Sequence, residues 1–260
     1  MKLSIEHLNL SIKQRTLLED ISLKTKDGQF VGLIGANGSG KSTLLKTIYK
    51  TLKPDNGEIY LDELNILHSS EKKVAQNLSV VSQFNELSFD LTVKQMVMLG
   101  RTPHKRLLEQ ENKQDLQIVE HALKTTNLLD YQDRSFLSLS GGEKQRVILA
   151  RAIAQDPHFI ILDEPCNHLD IRYQLEIMEI VKNLGIGILA ALHSLEDACR
   201  YCDELYVLKQ GHVLAHGKPK EILTEDLIEE VYGVKCKIYQ NPITQQLGFY
   251  YYKKGCEAAR

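Results

Sequence analysis

Tryptophan is missing from the 260 residues, and cysteine is scarce, with five residues scattered along the chain. This odd number of widely spaced cysteines gives no disulfide framework, and a chain of this length buries a sizeable core without one. Cys199 and Cys202 have the C-x-x-C spacing, but no second pair supplies the remaining ligands of a zinc site. We therefore interpret them as two cysteines on a helix and expect a cytoplasmic protein.

Long apolar runs and an excess of one charge are also missing. The longest apolar runs, 159–162 and 186–192, are far shorter than the roughly 20 residues that a membrane-crossing helix requires. The N-terminus lacks the apolar segment and the cleavage site of a signal peptide. Lys and Arg number 32 against 34 Asp and Glu, which leaves a net charge of −2 and no overall attraction to nucleic acid. We expect no nucleic-acid partner.

Short apolar runs indicate buried strands, and patterns of helical spacing lie between them. The runs typical of a parallel sheet covered on both faces are 30–34, 78–81, 159–162 and 186–192. Alternating segments predict an antiparallel flank at 3–12 and 17–23, and a hairpin at 204–216 followed by a helix from Thr224. Between 84 and 155 the spacing is helical, with helices predicted at 93–99 and 116–129.

A glycine-rich segment, GANGSGKS, lies between the strand predicted at 30–34 and a helix predicted at 41–52. It matches the phosphate-binding pattern G-x-x-x-x-G-K-[ST] in the context that this pattern requires. Glycines let backbone N–H groups turn toward phosphates, Lys41 adds a compact cation, and Ser42 is a ligand for Mg²⁺. The residues predicted to bind nucleotide here are Gly35, Asn37, Gly38, Ser39, Gly40, Lys41, Ser42 and Thr43.

These patterns predict a single α/β domain of the P-loop NTPase class over residues 1–260. A mostly parallel core sheet, an antiparallel β flank and a C-terminal extension come from 1–83 and 156–260. Residues 84–155 form an inserted helical subdomain.

Two acidic residues, Asp163 and Glu164, follow the buried strand at 159–162. Open parallel sheets hold their ligands at this end of the strands. Asp163 is predicted to hold Mg²⁺, and Glu164 to orient or deprotonate the water that attacks the γ-phosphate. The alternative is a solvated loop start, but the pair beside a phosphate loop predicts hydrolysis and not binding alone.

His193 and Gln83 end two further strands on the same edge. His193 is predicted to donate to the γ-phosphate, and Gln83 to contact Mg²⁺ or the water. Either residue alone is more often structural, but their common placement favours a catalytic role. The predicted catalytic set is Glu164, His193 and Gln83, and the predicted metal ligands are Ser42, Gln83 and Asp163.

The sequence LSGGE at 139–143 contains a capping box, in which Ser140 and Glu143 begin a helix. Gly141 and Gly142 weaken that helix, by roughly 1 kcal/mol each relative to alanine in a helix interior. Glycines here expose the first N–H groups of the helix, which with its dipole attract an anion. We therefore predict that Ser140, Gly141 and Gly142 bind phosphate as well as begin a helix.

LSGGE resembles the signature sequence of ATP-binding-cassette ATPases, and with the motifs above the resemblance covers essentially the whole chain. It implies a head-to-tail dimer with a second copy, in which each ATP, with Mg²⁺, lies between the phosphate loop of one copy and the signature helix of the other. It also implies that Gln83 links the nucleotide to the helical subdomain, that Leu169 and Asp170 touch the opposite subunit, and that His193 is a switch residue.

A narrower resemblance is to the cassettes of importers for iron chelates, haem and cobalamin. It is carried by the segments 100–104, 167–172, 199–203 and 230–234. It implies a motor subunit, peripheral on the inner face of the cell membrane, which acts on an integral-membrane permease and indirectly on a substrate-binding protein. The alternatives are an exporter cassette, a cassette ATPase acting on nucleic acid or ribosomes, and a regulatory module without turnover.

Three residues depart from the family pattern. Ile12 occupies the position of an aromatic ring that stacks on adenine, so we expect weaker nucleotide binding and poor discrimination among bases. Cys166 replaces a threonine and Ser194 an aspartate, and we expect both changes to be tolerated. Cys166 beside the site further predicts sensitivity of the ATPase to thiol reagents.

Overall fold

The computed structural model of the chain describes residues 1–82, 90–106, 108–167 and 169–253. The strands are β1 Leu3–Ile12, β2 Arg15–Lys24, β3 Phe30–Ile34, β4 Asn56–Leu61, β5 Leu64–Asn65, β6 Leu78–Val81, β7 Phe159–Asp163, β8 Gly187–Ala191, β9 Glu204–Lys209, β10 His212–Gly217, β11 Lys235–Gln240 and β12 Leu247–Tyr252. The α-helices are α1 Lys41–Ile48, α2 Glu71–Ala75, α3 Val93–Met98, α4 Lys113–Thr125, α5 Gly141–Ala154, α6 Ile171–Lys182, α7 Leu195–Tyr201, α8 Pro219–Ile222 and α9 Glu225–Tyr232.

The central sheet has the strand order β10-β9-β3-β8-β7-β6, and all pairs except β10 with β9 are parallel. Its apolar strands are buried because both faces are covered. Alternate residues of β3 face opposite sides: Phe30 packs in the cluster that contains the inserted helices, and Val31 in the cluster that contains the flank. The predicted α/β class with a mostly parallel core sheet is confirmed.

The flank is an antiparallel sheet of order β2-β1-β4-β5. The turn between β1 and β2 contains Lys13 and Gln14, both with positive φ, which suits the twist of a tight hairpin. The helix predicted at 41–52 ends earlier, at Ile48, and β4 begins at Asn56 in a stretch that the sequence pattern indicates only as a helix end. This segment is a strand because it pairs with β1, and no local sequence pattern predicts that pairing.

The described residues between β6 and β7 form helices and turns. The helix predicted at 116–129 lies at 113–125, because a capping box between Asn112 and Asp115 begins it earlier. Near the end of α3, buried Arg101 pairs with Asp115 and donates to the carbonyl of Ala154 at the end of α5. Burial alone would raise the pKa of Asp115, but hydrogen bonds from Lys105, the Asn112 backbone and Arg101 lower it to about 2. These contacts hold α4 and α5 in a fixed arrangement.

The segment after β10 contains more structure than the sequence pattern predicts. The helix expected from Thr224 is α9, capped by the Thr224 hydroxyl. It is followed by an antiparallel hairpin of β11 and β12, and β12 packs against α7. No helix in the described parts of the chain combines the length and the apolar character that crossing a bilayer requires.

Candidate active site

The loop between β3 and α1 is shaped by glycines with positive φ: 148° at Gly35, 78° at Gly38 and 109° at Gly40. A Cβ at Gly35 would overlap the carbonyl oxygen of Leu208 on β9. Glycine is therefore required there both by its backbone angle and by the closeness of a neighbouring strand. Asn37 and Gly38 at the tip are exposed, so the loop is fixed at its base and open at its tip.

Lys41 is the first residue of α1 and is only 4 % exposed. Its Nζ donates to the carbonyls of Gly35, at 2.7 Å, and Ala36, at 3.3 Å. Burial lowers the pKa of Lys41, and the nearby charges of Glu164 and Asp163 oppose that change. The ammonium thus lies inside the loop, where it faces any phosphate that the loop amides bind.

Ser42 and Asp163 meet across the sheet edge, where the Ser42 hydroxyl donates to Asp163 Oδ1 at 3.0 Å. Burial raises the pKa of Asp163, the Ser42 hydrogen bond lowers it, and the charge of Glu164 raises it further. A hydroxyl and a carboxylate oxygen are ligands of the kind that Mg²⁺ takes together with phosphate oxygens and water. Within the described residues the buried hydroxyl of Ser39 makes no hydrogen bond. The Ser42–Asp163 contact and the buried Ser39 hydroxyl both fit a nucleotide bound with Mg²⁺.

Glu164 lies at the centre of a polar group on this edge. Its Oε1 lies 2.6 Å from Nε2 of His193, and its Oε2 accepts from Nδ2 of Asn167 at 3.1 Å. The backbone of Glu164 has φ 54°, an uncommon conformation for a residue with a side chain that is found at functional sites. The structure thus brings together Glu164 and His193, which the sequence places only on the same edge. The predicted Gln83 lies outside the described residues.

The signature helix α5 begins as predicted. The Ser140 N–H donates to Glu143 Oε2 at 2.8 Å, and the Glu143 N–H donates to the Ser140 hydroxyl at 3.4 Å. The two glycines differ, however. A Cβ at Gly141 would meet nothing within 4 Å in the described parts of the chain, whereas a Cβ at Gly142 would overlap the ring of Tyr173 on α6. Gly142 is therefore also required by packing, a role that only the folded chain reveals.

This difference gives a matched pair of variants. Gly142→Ala should lower the free energy of unfolding by about 1–3 kcal/mol, because the Tyr173 ring must move to admit the new methyl group. Gly141→Ala should leave that free energy unchanged or raise it slightly, since alanine favours the helix and the space is open. Urea denaturation of both variants measures the effect. Equal stabilities would contradict the packing role of Gly142.

One of the substituted family positions, Ser194, has a local structural explanation. Ser194 caps α7, since its hydroxyl accepts from the Asp197 N–H at 2.9 Å. Burial raises the pKa of the Cys166 thiol to about 12. Because the thiolate is the reactive form, this argues against the predicted sensitivity to thiol reagents. Ile12 is 41 % exposed beside the turn between β1 and β2, and its effect on adenine binding stays a prediction.

Three residues make contacts near the site that sequence reasoning does not predict, although Asn167 and Tyr232 lie in segments that carry the narrower family resemblance. Tyr232 accepts from the Gly35 N–H at 3.1 Å, and Gly211 donates its N–H to the Ser39 carbonyl at 2.9 Å. Both contacts join residues that are far apart in the chain, so no local signal predicts them. Asn167 follows Glu164 by three residues, and a polar residue in that loop is the signal that could have indicated it.

In a comparison with protein families, the family model described as ABC transporter matches residues 18–167 of the chain. This segment contains the phosphate loop, the signature helix start and the acidic pair. The chain belongs to the ABC transporter family. It is an ATP-binding cassette, and as an ATPase of that family it binds ATP.

Similar proteins agree with this assignment. The cassette is 38% identical to the ferric enterobactin transport ATP-binding protein of Escherichia coli (strain K12), over 92% of this chain and 89% of that protein. It is 39% identical to the petrobactin import ATP-binding protein of Bacillus anthracis, with the same two coverages. The crystal structure of an ATP-binding cassette of an ABC transporter in its ADP conformation matches with TM-score 0.81 and 26% identity, over 89% of this chain and 98% of that one.

Proposed function

We propose that the cassette is the ATP-hydrolysing motor subunit of an importer that takes up an iron chelate through a separate membrane permease. The observation that carries hydrolysis is the pairing of Glu164 with His193 beside the Ser42–Asp163 contact. The names of the relatives in Escherichia coli and Bacillus anthracis support the direction and the class of cargo. A cassette of this kind is peripheral on the inner face of the cell membrane.

In this proposal the loop residues bind the phosphates of ATP. The amides of Asn37 and Gly38 and those from Gly40 to Thr43 would surround the phosphates, and the Lys41 ammonium would add charge next to them. Ser42 and Asp163 would hold Mg²⁺, which when bound neutralises charge on the phosphate oxygens. Gln83 is proposed as a further ligand or water contact.

Glu164 is proposed to orient the attacking water and accept its proton. Its carboxylate is held from two sides, by His193 on Oε1 and by Asn167 on Oε2. A fixed carboxylate at the correct distance lowers the barrier by general-base action and by positioning. His193 is proposed to contact the γ-phosphate, which would couple the nucleotide to the start of α7.

The second phosphate-binding segment is proposed to serve another copy of the cassette. The phosphate loop is surrounded by β9, the β9–β10 turn and α9, whereas the start of α5 packs beside Tyr173 of α6. Ser140 and Gly141 are exposed, and so is Ile171, at 76 %, directly after Asp170. A head-to-tail dimer would cover these residues and complete each ATP site with Ser140, Gly141 and Gly142 of the other copy.

Transport would follow from closure of this dimer. ATP bound between two copies favours the closed state, and hydrolysis removes that preference. The inserted helices would move with the signature helix, because Arg101 joins α4 and α5. They would act on the permease, which receives the chelate from a substrate-binding protein. An exporter cassette would have the same site, so import rests on the relatives.

Iron uptake in the organism that encodes the chain tests this proposal. Cells without the chain should lose uptake of ⁵⁵Fe presented as ferric siderophores, and the wild-type chain should restore it. Lys41→Ala should not restore it, because the phosphate loop loses its buried cation. Normal ⁵⁵Fe uptake without the chain, together with impaired export of a compound or impaired cobalamin uptake, would contradict iron-chelate import.

A further inference from the structure

The first residue of the phosphate loop is held by the C-terminal part of the chain. The N–H of Gly35 follows the last residue of β3, where the regular pairing of the sheet ends. It donates to the hydroxyl oxygen of Tyr232, the last residue of α9, at 3.1 Å. A backbone N–H that is buried without an acceptor is costly. Within β3 the neighbouring strands provide these acceptors, and for Gly35, just beyond the strand, the Tyr232 hydroxyl provides one.

Tyr232 is one of three neighbours that constrain Gly35. The Gly35 carbonyl accepts from Lys41, and the Gly35 Cα lies against the backbone of Leu208 on β9. The conformation at φ 148° is accessible to glycine without side-chain strain, but nothing intrinsic to glycine selects it. The contacts must therefore select it, and the one at the N–H comes from Tyr232.

The helix that carries Tyr232 is well anchored. Ile228 and Val231 are buried in the main core. Glu230 pairs with Lys209 at the end of β9 at 2.9 Å. Burial raises the pKa of Tyr232 to about 12, so its hydroxyl stays neutral at physiological pH. The acceptor is thus rigid and keeps one chemical form.

The same C-terminal segment also reaches the helix that begins next to His193. Phe249 of β12 is buried, and β12 packs against α7, whose first residue follows Ser194. One segment outside the matched residues 18–167 therefore contacts both the phosphate loop and the element after the switch histidine. If the C-terminal segment only covered the core, it would not need the hydrogen bond between Tyr232 and the phosphate loop.

We propose that Tyr232 is a positioning residue that fixes the Ile34–Gly35 peptide and thereby aligns the loop amides for the phosphates of ATP. The inference rests on the proposed assignment of this loop to phosphate binding. Tyr232 touches neither the reacting atoms nor the attacking water in this scheme. Its loss should weaken nucleotide binding more than it slows turnover.

Tyr232→Phe removes the hydroxyl and keeps the ring, and Tyr250→Phe is the matched control, since Tyr250 is 68 % exposed on β12. In Tyr232→Phe, the KM for ATP and the Kd for Mg-ADP should rise about three- to tenfold, with kcat within about twofold of wild type. The Gly35 amide should exchange its hydrogen at least about tenfold faster without nucleotide. The control should match wild type in all three measurements.

The outcomes separate this inference from the proposed function. Faster Gly35 exchange with raised KM and Kd supports the positioning role. Unchanged exchange, or KM and Kd values equal to those of the control, overturns it, as does a fall in kcat without a change in Kd. Failure of the wild-type chain to bind Mg-ATP would instead contradict the proposed function, and hydrogen exchange would still test the Tyr232 contact.

Discussion

Glu164→Gln should lower kcat for ATP hydrolysis by about 10²–10⁴-fold, the usual contribution of a positioned general base. Glutamine keeps the length and shape of the side chain but does not accept a proton at neutral pH. The phosphate loop, Lys41 and Ser42 are unchanged, so ATP should still bind. Steady-state phosphate release with saturating Mg-ATP measures the loss.

The same variant should accumulate as an ATP-bound dimer, because the step that reopens the two copies is blocked. Size-exclusion chromatography with light scattering, with and without Mg-ATP, detects this change of mass. Glu179→Gln is a suitable control, since Glu179 is an exposed carboxylate on α6 that pairs with Arg200. Normal turnover in Glu164→Gln would show that another residue acts as the base. A strictly monomeric, ATP-loaded variant would contradict the shared site.

Two inactive variants should restore activity when they are mixed. Lys41→Ala removes the cation of the phosphate loop, and Gly141→Asp places a carboxylate in open space at the signature helix start. The aspartate suits a helix N-terminus, so the fold should survive, but its charge should repel the triphosphate bound by the other copy. Each variant alone should therefore hydrolyse almost no ATP.

In a head-to-tail dimer of one variant with the other, both defects fall in one site and the second site is intact. Half of randomly mixed dimers have this composition, so an equimolar mixture should recover about a quarter of wild-type ATPase activity if the sites act independently. Gly141→Ala, with the same open space and no charge, serves as the control and should be active alone. A mixture no more active than its better component would argue that each chain completes its own site.

The phosphate loop and the acidic pair could be predicted because their chemistry is local. GANGSGKS places the amides, the cation and the hydroxyl within eight consecutive residues, and β3 with α1 positions them. Asp163 and Glu164 follow one apolar strand directly. The capping box at Ser140 is likewise complete within four residues. In each case the determining contacts are between near neighbours in sequence.

Other features could not be predicted because they depend on residues far apart in the chain. β4 is a strand because it pairs with β1 and β5. Cys166 has the sequence position of a reactive thiol, but burial at the sheet edge raises its pKa. The contact between Glu164 and His193 requires the ends of β7 and β8 to meet in the correct register.

The sequence by itself determined the class of fold, the family and the residues proposed to bind phosphate, since these follow from short patterns of backbone conformation and charge. Only the tertiary structure decided why Gly142 has no side chain and which residue holds the N–H of Gly35. The partners are Tyr173, 31 residues away, and Tyr232, 197 residues away. Such contacts leave no pattern in the neighbouring residues of the sequence. The two residues of each pair are brought together only when the distant elements that carry them pack in the folded chain.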